Sequence, residues 1–199
     1  SSTSDSVEQR VGTVGRVHPH LEIKIVDEQG KVVPRGQLGE LCVRGYSVML
    51  GYWEDHEKSG EVIDSARWMH TGDIAEMDEA GFVKIKGRIK DVVIRGGENL
   101  FPKEIEDFLY THPDVSDVQV IGLPDARYGE ELCACIILHE HHEITEESIR
   151  QYCAEHISHN KVPRYVRFFN EFPMTASGKA QKFKLQEFMH NELDLKEIA

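Results

Sequence analysis

The sequence predicts an α+β protein in two parts: a β-rich stretch over residues 1–89, then a small α+β domain over 90–199 with a mostly antiparallel sheet. Three observations predict it. From Val11 to Gly87, short segments of alternating apolar residues are separated by glycine-bearing turns, the pattern of strands. After Lys90 the segments run helix, strand, strand, helix, strand, helix, which suits helices packed on an antiparallel sheet. At 199 residues the chain is long enough for one domain or two, at ~100–200 residues per domain.

In order, Leu21–Val26 alternates as a strand and ends in the turn Asp27-Glu28-Gln29-Gly30; Leu38–Gly45 is the second strand of a hairpin. Glu54–Ile63 reads as a short polar helix, and Ile74–Met77 and Phe82–Ile85 as strands around the turn Asp78–Gly81. Val92–Ile94 is a short β-branched strand. Pro102 suits the first turn of a helix over Phe101–Thr111, whose Ile105, Phe108 and Leu109 share one face. Val115–Gly122 and Glu131–Leu138 are strands, the second apolar on both faces and therefore covered on both. Thr145–Ile157 is an amphipathic helix with Thr145 as N-cap and Glu146 and Glu147 near its positive end. Arg164–Phe169 is a strand and Ala180–Leu193 a final helix.

Composition narrows the partners. A formal net charge of -12 disfavours nucleic acid and anionic membrane surfaces, which need clustered cations. A compact anion such as a nucleotide stays open, since a few basic groups and backbone N–H donors can hold it in an acidic protein. No apolar run approaches the ~20 residues of a membrane span, and the N-terminus lacks a signal-peptide core. The expectation is a soluble chain, cytoplasmic or, in a eukaryote, of the mitochondrial matrix. It begins in a polar stretch without Met, as a fragment would. Cys42, Cys133, Cys135 and Cys153 lack the close pairs of a zinc site and read as reduced, buried thiols. His139-Glu140-His141-His142 falls in a strand-to-helix loop and reads as a solvated turn; no metal site is expected.

Three stretches suggest chemistry. Gly87–Glu106 sets a basic turn, a buried strand, the pair Gly96-Gly97 and a helix start in succession, so another group can approach the main chain at the glycines. In Thr71-Gly72-Asp73, a turn aspartate can cap its own backbone or accept hydrogen bonds from both hydroxyls of a ribose. Phe172–Lys179 is a mobile-looking loop ending in Ser177-Gly178-Lys179, where a flexible ammonium could offset the repulsion between two anions.

These strings, with GELCVRG from Gly39 and Val48–Tyr52 in the same order, resemble the signatures of the acyl-adenylate-forming superfamily, closest to medium-chain members of its fatty acyl-CoA synthetase branch. Gly87, Arg88, Lys90, Gly96, Gly97, Glu104, Ile105 and Glu106 match one signature, Asp73 another, Lys179 a third. The resemblance implies the β-rich tail of a large AMP-binding domain followed by a mobile lid. It also implies that Asp73 and Arg88 contact the ribose of ATP or AMP, that Lys179 is catalytic and binds ATP in adenylation, that Lys90 is a hinge, and that Gly96 and Gly97 border the CoA channel. ATP, Mg2+ with ligands mostly outside this chain, and CoA would be required, with a fatty acid as substrate. The partner would be the remainder of its own N-terminal domain, with a homo-oligomer left open. The family's phosphate loop has no match here, so the chain alone should be inactive. Rival readings are an adenylation domain charging a carrier protein, a luciferase-like oxygenase, and a noncatalytic nucleotide-binding module.

Overall fold

The computed structural model describes residues 1–193 and divides into two compact units, Ser1–Lys90 and Asp91–Ala199. In the first, β1 (Leu21–Val26), β2 (Gly39–Gly45), β3 (Met69–Met77) and β4 (Val83–Arg88) form an antiparallel sheet in the order β1-β2-β3-β4. One face packs Ile25, Ala75 and Val83 with Ile23, Leu41, Met77 and Ile85. Helix α2 (His56–Val62) starts where the Asp55 carboxylate accepts the Lys58 N–H. Helix α1 (Val7–Gly12) is absent from the sequence reading. It buries no residue and so carries no apolar stripe; a capping box between Ser6 and Gln9 holds it.

Strand β3 begins five residues before the expected Ile74, so Thr71-Gly72-Asp73 lies inside a strand and not in the turn preceding one. Its pairing with β2 shifts register between Glu40 and Cys42, and its pairing with β4 shifts between Ile74 and Ala75. A bulge of this kind lets residues with turn chemistry remain within a ladder.

The second unit holds β5 (Val93–Arg95), β6 (Glu98–Leu100), α3 (Pro102–Leu109), β7 (Val115–Asp125), β8 (Gly129–Leu138), α4 (Glu146–His156), β9 (Tyr165–Phe168) and α5 (Lys182–Glu192). The sheet order is β6-β5-β8-β7; β9 pairs parallel to β8 and the other pairs are antiparallel. Strand β6 corrects the expectation of a loop leading straight into a helix. Gly96 (φ 60°) and Gly97 (φ 85°) both adopt the left-handed region, the requirement of a tight two-residue hairpin, so the chain turns back and pairs before α3 begins.

The double-sided apolar pattern of β8 has its expected cause. Leu132, Ala134 and Ile136 pack with Ile105 and Leu109 of α3 and Ile149 and Cys153 of α4. Cys133 and Cys135 point the other way, against Phe172 and against Leu185 and Met189 of α5. Side chains buried to this degree contribute ~1.5–3 kcal/mol each, which ties α5 to the sheet. All four thiols are free and buried. The expected domain 90–199 extends past the described residues by its last six positions.

Candidate functional site

Asp73 on β3 and Arg88 at the end of β4 are register partners, and Arg88 Nε donates to Asp73 Oδ1 at 3.0 Å. Their side chains are 28% and 54% exposed. An ion pair this open to solvent is worth ~0–1 kcal/mol, so it orients the two groups more than it stabilises the fold. One Asp73 oxygen accepts from Arg88, while a carboxylate offers about four acceptor positions, leaving capacity for ligand hydroxyls.

The segment presenting Asp73 is held from below. Thr71 Oγ1 donates to Leu41 O at 2.8 Å and accepts the Asp73 N–H at 3.1 Å. Gly72, at φ 70°, gives its N–H to Glu40 Oε1 at 3.0 Å. His70 Nδ1 lies 2.7 Å from Glu40 Oε2 and 3.6 Å from Cys42 Sγ. Because a carboxylate only accepts, the imidazole carries its proton on Nδ1 here. Sequence reasoning missed Glu40 and His70, which are thirty residues apart and meet only through the pairing of β2 with β3.

In the second unit the Gly96-Gly97 tip is anchored by the Gly96 N–H to Tyr128 O at 2.8 Å. A Cβ on Gly96 would meet the Tyr128 ring at 3.3 Å, whereas one on Gly97 would meet nothing within 4 Å. The tip is open on the Gly97 side. Lys90 sits exposed in a short 3-10 turn, Ile89–Asp91, at the residue where the two units divide.

Lys179 is exposed, on a loop closed by hydrogen bonds. Thr175 N–H donates to Lys179 O (2.8 Å), Gly178 N–H to Thr175 O (2.9 Å), and Lys179 N–H to Thr175 Oγ1 (3.0 Å). Gln181 closes the base, giving its N–H to Pro173 O and its side-chain amide to Met174 O at 2.7 Å. Because Gln181 is occupied there, α5 starts at Lys182 and not at Ala180. Lys182 Nζ then reaches Glu106 Oε1 at 2.6 Å and Val120 O at 3.1 Å, fastening the helix start to α3 and β7. Asp73 and Arg88 are thus brought together in the first unit, while Gly96-Gly97 and Lys179 stand on separate turns of the second.

Among the described residues one His/Cys/Asp/Glu group has three donors in reach, Glu40, Cys42 and His70, within 4.8 Å of one another. A buried thiol and an imidazole do not suit Mg2+, which takes oxygen ligands and keeps several waters. The His139–His142 turn is largely exposed, with His142 Nδ1 at 2.5 Å from an Asp114 oxygen. No helix among the described residues is long and apolar enough to cross a membrane.

Two family models match, AMP-binding enzyme over residues 1–53 and AMP-binding enzyme C-terminal domain over residues 104–179. The medium-chain acyl-CoA ligase ACSF2, mitochondrial, of Bos taurus is 54% identical over 194 residues, 97% of this chain and 32% of that protein.

The chain belongs to the AMP-binding enzyme family.

This AMP-binding family chain therefore spans about a third of the length of the curated relatives it matches. Its fold is that of adenylate-forming enzymes. ATP-bound MatB from Rhodopseudomonas palustris aligns with TM-score 0.84 at 35% identity, covering 92% of this chain and 36% of that one. The amide bond synthetase McbA from Marinactinospora thermotolerans aligns with TM-score 0.82 at 35% identity, covering 89% and 36%.

Proposed function

We propose that this chain is the C-terminal portion of an AMP-forming acyl-CoA synthetase that converts a medium-chain fatty carboxylate to its CoA thioester through acyl-AMP. The observation that carries it is the Asp73–Arg88 pair, presented across the bulged pairing of β3 with β4 with acceptor capacity to spare. In this reading Asp73 accepts both ribose hydroxyls and Arg88 steadies Asp73 while touching the sugar. Residues 1–89 are the tail of the large domain and 90–199 the lid, with Lys90 as the hinge.

In the first step a carboxylate oxygen attacks the α-phosphorus of ATP, and the bond to pyrophosphate breaks. Charge builds on the phosphoryl oxygens, where the Lys179 ammonium, held out on its hydrogen-bonded turn, offsets it. In the second step the CoA sulfur attacks the acyl carbonyl carbon, AMP leaves, and the thiol proton goes to solvent. Gly97 gives the pantetheine arm an approach to bare backbone. Mg2+ would accompany ATP, on ligands mostly outside this chain. The relative ACSF2 is described as mitochondrial, which supports a mitochondrial location if the source is eukaryotic.

The test is to supply the intact enzyme with octanoate, ATP and CoA and to follow AMP, pyrophosphate and octanoyl-CoA, beside this chain alone, for which no turnover is expected. Absence of fatty-acid-dependent ATP–pyrophosphate exchange overturns the reading. Because a similar structure is an amide bond synthetase, an amine is run against CoA as acceptor. Adenylate that transfers to the amine and not to CoA overturns the thioester step alone.

A further inference from the structure

We propose that Glu40 is a positioning residue for nucleotide binding, holding the bulge that aims Asp73 at the ribose. The inference rests on the reading of Asp73 as the ribose ligand. Glu40 stands on β2 at the border of the register shift, with its side chain 19% exposed. Both of its oxygens are spent on two of the three residues that lead into Asp73: Oε1 takes the Gly72 N–H at 3.0 Å and Oε2 takes His70 Nδ1 at 2.7 Å. With Thr71 Oγ1 on Leu41 O, residues 70–72 are each tied to neighbouring β2 positions.

The geometry explains why a carboxylate stands there. At the bulge the ladder no longer supplies an acceptor for Gly72, whose left-handed backbone turns its N–H toward β2. A part-buried N–H without a partner would cost ~1–3 kcal/mol, enough to let the segment relax into plain register and carry Asp73 away from Arg88. Glu40 supplies the acceptor, and its second oxygen fixes the His70 ring beside the same turn. The strands themselves are paired on either side of the shift, so the clasp adds aim to a segment whose pairing is already secured.

Glu40 and His70, with Cys42, could be taken for a zinc site, and the geometry favours the clasp. The 2.7 Å Nδ1–Oε2 contact is a hydrogen bond that already engages the imidazole and one carboxylate oxygen.

The experiment is a double-mutant cycle in the intact enzyme, read by ATP–pyrophosphate exchange: Glu40→Ala, Asp73→Ala, both together, and Glu40→Gln. Glu40→Ala is expected to raise KM for ATP about tenfold with KM for the fatty acid unchanged, and to add nothing once Asp73 is alanine. Glu40→Gln, which keeps an acceptor for Gly72, restores most of the loss. Where Glu40→Ala does not fold, Glu40→Asp, one methylene short of Gly72, takes its place. An unchanged KM for ATP, or losses that simply add, overturns the positioning role while leaving Asp73 as the ribose ligand. Asp73→Ala without effect overturns the ribose reading, and this inference with it. One zinc per chain, lost in Cys42→Ser, overturns the clasp in favour of a metal centre.

Discussion

Asp73 and Arg88 face one another across β3 and β4 as register partners, joined by an Arg88 Nε to Asp73 Oδ1 hydrogen bond of 3.0 Å. Arg88 is more than half exposed, and an ion pair this open adds ~0–1 kcal/mol to stability. Arg88→Ala in the intact enzyme should therefore leave urea unfolding within about 1 kcal/mol of the parent while raising KM for ATP about tenfold. A fall in stability with KM unmoved would make the pair a structural one.

Lys179 rises from a turn whose hydrogen bonds are made by its backbone and by Thr175, so removing its ammonium leaves the turn intact. Lys179→Ala is expected to slow acyl-AMP formation by at least about 100-fold and to spare thioester formation from supplied acyl-AMP. Single-turnover assays of the two half-reactions decide it. Equal loss in both would count against the role.

Gly97 occupies φ 85° with open space around the missing Cβ, so Gly97→Ala adds backbone strain and no clash. The cost is ~1–2 kcal/mol of stability in the second unit. With Gly97→Val the bulkier side chain should raise KM for CoA and leave pyrophosphate exchange unchanged. If exchange falls as much as thioester formation, the hairpin does not border the CoA path.

Arg95 and the almost wholly buried Glu131 carry a different kind of weight. The Nη2–Oε1 hydrogen bond spans 3.1 Å; Nε and Oε2, though 2.8 Å apart, lack hydrogen-bond alignment, so their attraction is one of charge. Arg95→Ala strands a carboxylate that is 1% exposed, with Arg164 still 3.8 Å away as partial compensation. The loss should lie near the low end of ~3–5 kcal/mol, and Arg95→Met with Glu131→Leu should recover most of it. Chemical denaturation of each variant measures this.

The thiols supply a pH expectation. Burial raises Cys42 and Cys153 from 9.0 to about 11, and Cys133 is raised as well by a hydrogen bond with the Cys135 thiol and by burial. A native thiol pKa above the unfolded value favours the folded state fully at low pH; that advantage fades as pH climbs from about 9 to about 11. Native protein at pH 7.5 should resist a thiol reagent that labels all four positions in urea. Fast labelling of Cys42 without denaturant would contradict its burial.

The elements of the second unit were legible because each carries a local physical signal. Thr145 caps α4, Pro102 opens α3, and the two-sided apolar run of β8 required cover on both faces, which α3, α4 and α5 provide. Asp73, Arg88, Lys90, Gly96, Gly97 and Lys179 stood out because their residue types fit a stated chemistry at the spacing of a known family, and this identified the family. What the amino-acid order could not disclose was every relation resting on strand register. Strand β6 exists because two consecutive glycines let the chain fold back on itself, an outcome β-propensity over three residues does not announce. That Asp73 meets Arg88, and that Glu40 reaches under Gly72, depends on bulges whose position is set by which residues oppose which across the ladder. Local chemistry is written in the chain one residue at a time; the pairing of positions fifteen or thirty residues apart is settled only when the sheet closes.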